Sequence, residues 1–302
     1  MKQYSCIFIL SIALCSCKEE LLLNESSKAP VINCFFNPDE NMRVNLSETY
    51  NAIGDDTISY IYNANLALYN NDNNLLKQLI PEKVTEDGAG SKGYYYSDTL
   101  CIQAKKKYTL IYKQADGTIV KGSDEVPASV AIKEIKDTAV TFDNNKNKCR
   151  LVCTLTFNDP QDEINYYAVA VNIRAMNELF PYQQFTCNSP LIEAVISNNF
   201  LPCYQMIFSD KKMKASQNTI QLDINNYITG YSESLPITFE IMLFSISKNY
   251  YTYALSFYKQ ILANKDFYSE PSSVYSNIEN GYGIFAAYSK SVKTVKVTIP
   301  AK

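Results

Sequence analysis

From Val31 onward the chain is written in short runs whose side chains alternate apolar and polar, and this period of two limits its fold more than any other feature. The runs "VINCFFN" (31–37), "MRVNLSET" (42–49), "ISYIYNANLALYN" (58–70), "GYYYSD" (93–98), "YTLIYKQ" (108–114) and "TIVKGSDEV" (118–126) are bounded by Asn, Asp, Gly or Pro. Asp116-Gly117 falls between two of them as a hairpin turn. Short strands at this spacing predict an immunoglobulin-like β-sandwich over residues 31–127.

The same alternation continues in the second half. In "CRLVCTLTF" (149–157), Cys149, Leu151, Cys153, Leu155 and Phe157 share one face, so both cysteines read as small buried apolar residues. In "NYYAVAVNIRA" (165–175), Ala168, Ala170, Asn172 and Arg174 face one way and Val169, Val171 and Ile173 the other. "QMIFSD", "NTIQLDI", "PITFEIMLFSI" and a closing "TVKVTIP" are further strands. One stretch changes period: Ser247 is placed to cap a helix over about 248–264, with Tyr251, Ala254, Leu255, Tyr258, Ile261 and Leu262 as its apolar stripe. Residues 176–202 show no period and contain prolines, so they read as a long loop. The fold class is therefore mainly β, with a second β-rich domain over 128–302 that carries one amphipathic helix.

Composition removes whole classes of chemistry. The 302 residues include no His, which excludes Ser-His-Asp and Cys-His catalysis, His-containing zinc sites and His-ligated haem. Trp is also absent, whereas 24 Tyr and 14 Phe suit half-buried pleated surfaces. A formal charge of −3 without a basic stripe argues against nucleic acid, and Lys105-Lys106-Lys107 reads as an exposed turn. No CxxC occurs, and neither "DNNKNK" (143–148) nor "NNDNN" (70–74) matches a calcium loop, so no metal or cofactor is expected. Asp55-Asp56, Asp159 with Asp162 and Glu163, and Asp137 with Asp143 are the acidic groups a glycosidase could draw on; they read as turn residues.

Three features remain as candidate sites. Cys187 and Cys203 flank a Pro-containing segment and are a candidate disulfide. "NGYGIF" (280–285) precedes a strand instead of opening a helix, so it is no nucleotide loop. Its glycines permit unusual backbone, and Gly281, Tyr282 and Phe285 form a candidate ligand rim. The Tyr94-Tyr95-Tyr96 and Tyr250-Tyr251-Tyr253 groups are candidate stacking platforms, although strand alternation buries every second residue.

The amino terminus has the form of an address. Lys2, the apolar run Ile7 to Leu14 and small residues before Cys17 make a secretory signal over 1–16, too short for a permanent membrane span. "LCSC" (14–17) resembles a bacterial lipobox, which implies cleavage before Cys17, acylation of that residue, and a tether over 17–30. Lys18, Glu19 and Glu20 directly after it resemble a surface-export signal, so the expected location is the outer membrane, lipid-anchored and facing outward.

The lipobox with its acidic tail, "APVINCFFNPDENMRVNLSET", "GYYYSDT", "NDPQDEINYYAVAV", "MIFSD", the Tyr- and Leu-rich helix and "EPSSVYSNIENGYGIFAAYS" occur in one consistent order. Together they resemble the Bacteroidota outer-membrane lipoproteins that carry domain of unknown function 4249. The resemblance implies an envelope lipoprotein, often encoded near TonB-dependent transporters, with no catalytic residues assigned. The expectation is a non-enzymatic protein that captures a small ligand or assists such a transporter. Adhesion or an envelope scaffold is the alternative, with a carboxylate-based hydrolase carried behind it.

Overall fold

A computed structural model describes residues 28–298 except 51–57, 83–92, 98–101, 143–147, 162, 176–177, 182, 188, 197–203, 214–217, 228–235, 266–269 and 271. Among these residues the first part of the chain supplies β1 (Pro30–Phe36), β2 (Arg43–Glu48), β3 (Asn65–Asn70), β4 (Leu75–Gln78), β5 (Ile80–Pro81), β6 (Tyr94–Tyr96), β7 (Lys107–Lys113) and β8 (Ile119–Glu125). The middle supplies β9 (Ile132–Phe142), β10 (Lys148–Phe157), β11 (Tyr166–Ala175), β12 (Glu178–Phe180), β13 (Phe185–Thr186) and β14 (Ile192–Ile196). Then follow β15 (Gln205–Ser209), β16 (Thr219–Tyr227), β17 (Ile237–Ile246), α1 (Lys248–Lys265), β18 (Ile278–Glu279) and β19 (Tyr282–Val297). The protein is mainly β, as the alternation predicts.

Local chemistry accounts for the individual elements. At the β7–β8 hairpin, Gly117 takes φ 88° and the Asp116 carboxylate accepts from the Thr118 N–H at 2.8 Å. The Ser247 hydroxyl accepts from the Tyr250 N–H at 3.1 Å, capping α1 as its sequence suggests. The expected stripe is used as far as Tyr258, since Leu255 and Tyr258 pack partly buried against the same core as Tyr251 and Ala254. Tyr250, Tyr251 and Ala254 are buried, while Leu262 is 45% exposed.

One long sheet organises the molecule, in the order β14-β15-β11-β17-β19-β1-β2-β6-β5, with β12 paired to β11. Strand alternation gives it two faces. On one face, Tyr167, Val169, Val171, Phe239, Ile241 and their neighbours pack against the four-stranded sheet β13-β16-β10-β9. On the same face, Ile32, Cys34, Phe36, Val44, Leu46 and Tyr95 pack against the five-stranded sheet β18-β8-β7-β3-β4. The result is two sandwiches side by side that share one sheet. The expected N-terminal sandwich over 31–127 is therefore completed from the far end of the chain: β18 joins its second sheet, and Phe285 and Ala287 of β19 enter its core.

The joint between the sandwiches is β19. Its first part pairs in parallel with β1, Val31 opposite Tyr282 through Phe36 opposite Ala287. Its second part pairs antiparallel with β17, from Tyr288 opposite Ile246 to Val297 opposite Ile237. On the other face of the long sheet, α1 covers β11, β14, β15 and β19. There Ala168, Ala170 and Ala286 leave room for the rings of Tyr250 and Tyr251. The 176–202 stretch read as a loop contains β12, β13 and β14, which pair to β11, β16 and β15. Strands of two to five residues are too short to display a period.

Candidate functional site

Helix α1 covers only part of its face of the long sheet, and beside it lies a cleft of about 810 Å³. Its floor follows from strand register. β1 and β2 send Ile32, Cys34, Val44 and Leu46 into the sandwich core, so parity turns Val31, Asn33, Phe35, Arg43, Asn45 and Ser47 the other way. Pairing lines these up across the strands. Asn33 lies opposite Asn45, and Asn45 opposite Tyr94. Val31 lies opposite Ser47, which bridges to Tyr60. Phe35 marks the border with α1, its ring 4.8 Å from that of Tyr250 and 6.0 Å from that of Tyr253. Tyr50 and Ile58 line the cleft at the rim, 58% and 43% exposed.

Among the described residues, the formal charges that line the cleft are held in pairs. Arg43 donates to Glu82 at 2.6 Å, and its guanidinium sits 3.7 Å over the Tyr94 ring. Glu48 is 3.8 Å from Lys28, and Glu40 pairs with Lys290. Burial pushes the Glu40 carboxyl up. The hydrogen bond and charge of Lys290, with Asn37 and Tyr288, outweigh it and hold the group below its ordinary value.

The sequence-predicted residues are distributed unevenly around this geometry. Tyr282 is 57% exposed and, opposite Val31 across β1, stands on the cleft face. Phe285 points to the other face, fully buried and stacked on Phe36 at 4.4 Å. Gly281 packs against the Pro30 carbonyl, where a Cβ would come within 2.7 Å. Gly281, Tyr282 and Phe285 thus do not converge on one rim: positions 282 and 285 have opposite parity in a strand. "SNIENGYGIF" fastens strands instead. The Asn277 side chain exchanges two hydrogen bonds with the Phe285 backbone, and Gly283, at φ 103°, lies against the backbone of Ile32.

Among the tyrosine groups, Tyr95 is buried while Tyr94 lines the cleft. Tyr250 and Tyr251 are core residues under α1. Cys149 and Cys153 are buried as expected, and burial pushes both thiols up to about 11. Cys187 is half-buried; Cys203 lies outside the described residues, as do Cys17, Lys18, Glu19 and Glu20. Lys105, Lys106 and Lys107 are exposed, at the turn before β7 and at its first residue. Asp159 accepts from the Tyr167 hydroxyl at 2.5 Å at the start of the β10–β11 connection, away from the cleft lining. Among the described residues no group of three His, Cys, Asp or Glu is placed to hold a metal ion, and no helix is long and apolar enough to cross a membrane.

Sequence reasoning missed Asn33, Asn45, Ser47 and Tyr60. The signal was present: polar residues at alternate positions of "VINCFFN" and "MRVNLSET" mark a sheet face that is not core. It missed Asp124 too. This carboxylate is buried between β8, β19 and the start of α1, accepting from Ser247 at 2.5 Å, Ala287 N–H at 2.7 Å and Asn249 at 2.9 Å. Burial dominates its titration and pushes it up to about 6.

A family model described as a domain of unknown function, DUF4249, matches residues 19–294. No curated protein matches the chain.

Proposed function

The chain belongs to the DUF4249 family, and from that premise we propose that it is a lipid-anchored protein of the outer membrane that captures a small ligand, in the service of a TonB-dependent transporter. The observation that carries the reading is the cleft. It is concave, lined by tyrosines and by side-chain amides and hydroxyls, and built on the rigid face of the shared sheet. Its position relative to the tether also supports this reading. Lys28 pairs with Glu48 at the cleft edge, and Ala29 and Thr49 bond to each other beside it. Ten residues lie between Cys17 and Lys28, a reach of at most about 40 Å when fully extended. Acylation at Cys17 keeps the cleft within that distance of the membrane surface, where a transporter's outer face is accessible. In this reading the recognition is non-covalent and the protein performs no reaction of its own.

The test is affinity purification of the tagged protein from detergent-solubilised outer membranes, with Cys17→Ala as the localisation control. Recovery of a transporter in stoichiometric amount with the acylated form supports the reading. A surface-located wild type that brings down no membrane partner removes the transporter role.

A further inference from the structure

We propose that the cleft recognises a neutral, hydroxyl-rich ligand, a short oligosaccharide lying across β1, β2 and the Tyr60 and Tyr94 segments. This assignment rests on the capture reading above and names its ligand class.

The floor is the face of a sheet. Its backbone N–H and C=O groups are spent in the β1–β2, β1–β19 and β2–β6 ladders, so only side chains are available to a ligand. A peptide that binds by adding a strand needs an unpaired edge, and among the described residues the floor strands β1 and β2 each have a partner on both sides. What the face does present is Asn33 and Asn45 in one row, with Ser47, largely buried, in the next. Amides and hydroxyls both donate and accept, as sugar hydroxyls do, so the two can satisfy each other in several directions.

Charge points the same way. Glu40 with Lys290, Glu48 with Lys28 and Arg43 with Glu82 are three pairs whose signs cancel. Among the described residues the lining therefore shows no excess of either sign that would attract a charged ligand. A neutral ligand meets polar groups already held in place.

The aromatic residues supply the remaining requirement. One row across the strands runs Tyr282, Val31, Ser47, Tyr60, so a tyrosine stands at each end of a polar and aliphatic centre. Three strand spacings separate those ends, about 14 Å. Tyrosine combines a flat apolar face, which suits the C–H face of a sugar ring, with a hydroxyl that stays hydrated. Tyr94 sits in the adjoining row, its ring already fixed by Arg43.

The experiment uses the full acylated protein in detergent micelles and saturation-transfer NMR. The probes are neutral oligosaccharides of gluco, galacto, manno and xylo configuration, a uronic-acid oligosaccharide and a proline-rich peptide. A neutral oligosaccharide is expected to bind with Kd below about 1 mM. Tyr60→Ala and Asn33→Ala should each weaken it by about ten-fold or more. Tyr60→Phe keeps the ring and should bind like wild type, and thermal melting of every variant checks that the fold is intact. The assignment is overturned if none of the neutral probes binds, if the acidic probe or the peptide binds in their place, or if folded Tyr60→Ala and Asn33→Ala bind as wild type does. Membrane pull-downs of the same variants separate the two readings. A transporter recovered by a protein that binds no neutral saccharide overturns the ligand class and leaves the capture role standing. Saccharide binding without any membrane partner supports the ligand class and removes the transporter role.

Discussion

The side chain of Asn277 pairs with the backbone of Phe285 in both directions: its amide donates to the Phe285 carbonyl at 2.7 Å and its carbonyl accepts from the Phe285 N–H at 2.9 Å. Here, among the described residues, β19 has β1 on one edge and no strand on the other, because its pairing with β17 starts only at Tyr288. Asn277 stands in for the missing strand over one residue, and Asp124 does so for the Ala287 N–H. Phe285 is fully buried, so neither backbone group can turn to water.

Asn277→Ala should therefore destabilise the protein by about 2–4 kcal/mol, because it strands a donor and an acceptor together. Asn277→Asp keeps the acceptor for the Phe285 N–H but sets a carboxylate oxygen against the Phe285 carbonyl, and should cost at least as much. Urea unfolding of both variants measures the losses, and a loss below about 1 kcal/mol for Asn277→Ala would show that the pairing contributes little.

The glycines of this segment should separate by what surrounds them. A Cβ on Gly283 would lie 2.1 Å from the Ile32 carbonyl oxygen at φ 103°, so Gly283→Ala must push β1 and β19 apart. A loss above about 3 kcal/mol is expected. Gly117 also has positive φ, at 88°, but nothing lies within 4 Å of a Cβ there. Gly117→Ala should cost only the backbone strain, about 1–2 kcal/mol. Comparable losses at the two sites would mean that conformation, not the close approach of the strands, governs both.

Asp124 makes stability depend on pH in an unusual direction. Its folded pKa of about 6 lies above the ordinary value of 3.8, so between these two pH values the folded state holds a proton that the unfolded state has released. Stability from this group is full below about pH 4, falls as pH rises towards 6 and is level beyond it. Across that window the fall is roughly 3 kcal/mol. Asp124→Asn removes the titration, and the wild-type-minus-variant difference in unfolding free energy, followed from pH 4 to 7, should show the fall. A flat difference would mean that the three donors offset burial completely.

Thiol reactivity should divide the cysteines. Burial raises Cys34, Cys149 and Cys153, leaving little thiolate near pH 8, and none of the three is accessible. Iodoacetamide followed by peptide mass spectrometry should leave them unmodified in native protein and modify them in urea. Cys187 is half-buried and should react faster. Native labelling of Cys149 at the Cys187 rate would show that the second sandwich opens readily.

The sequence alone carried the element types and the inward-facing residues, because alternation and periodicity are local. Ile32, Cys34 and Phe36 on β1, Cys149 to Phe157 on β10, the Asp116-Gly117 turn and the Ser247 cap each depend on a few neighbouring residues. The parity of Tyr282 and Phe285 was legible too, once "GYGIF" was assigned to a strand. Tertiary structure decided the rest. Nothing local tells β1 to pair with a strand some 250 residues later, so only the folded chain shows two sandwiches on one sheet. Nor can alternation say which polar face a helix covers. Asn33, Asn45 and Ser47 look like ordinary exposed strand residues until α1 and the Tyr60 segment fold around them and make a cleft. Asp124 is the converse, a carboxylate in a strand where water would be expected, buried because the edge of β19 and the start of α1 supply its donors.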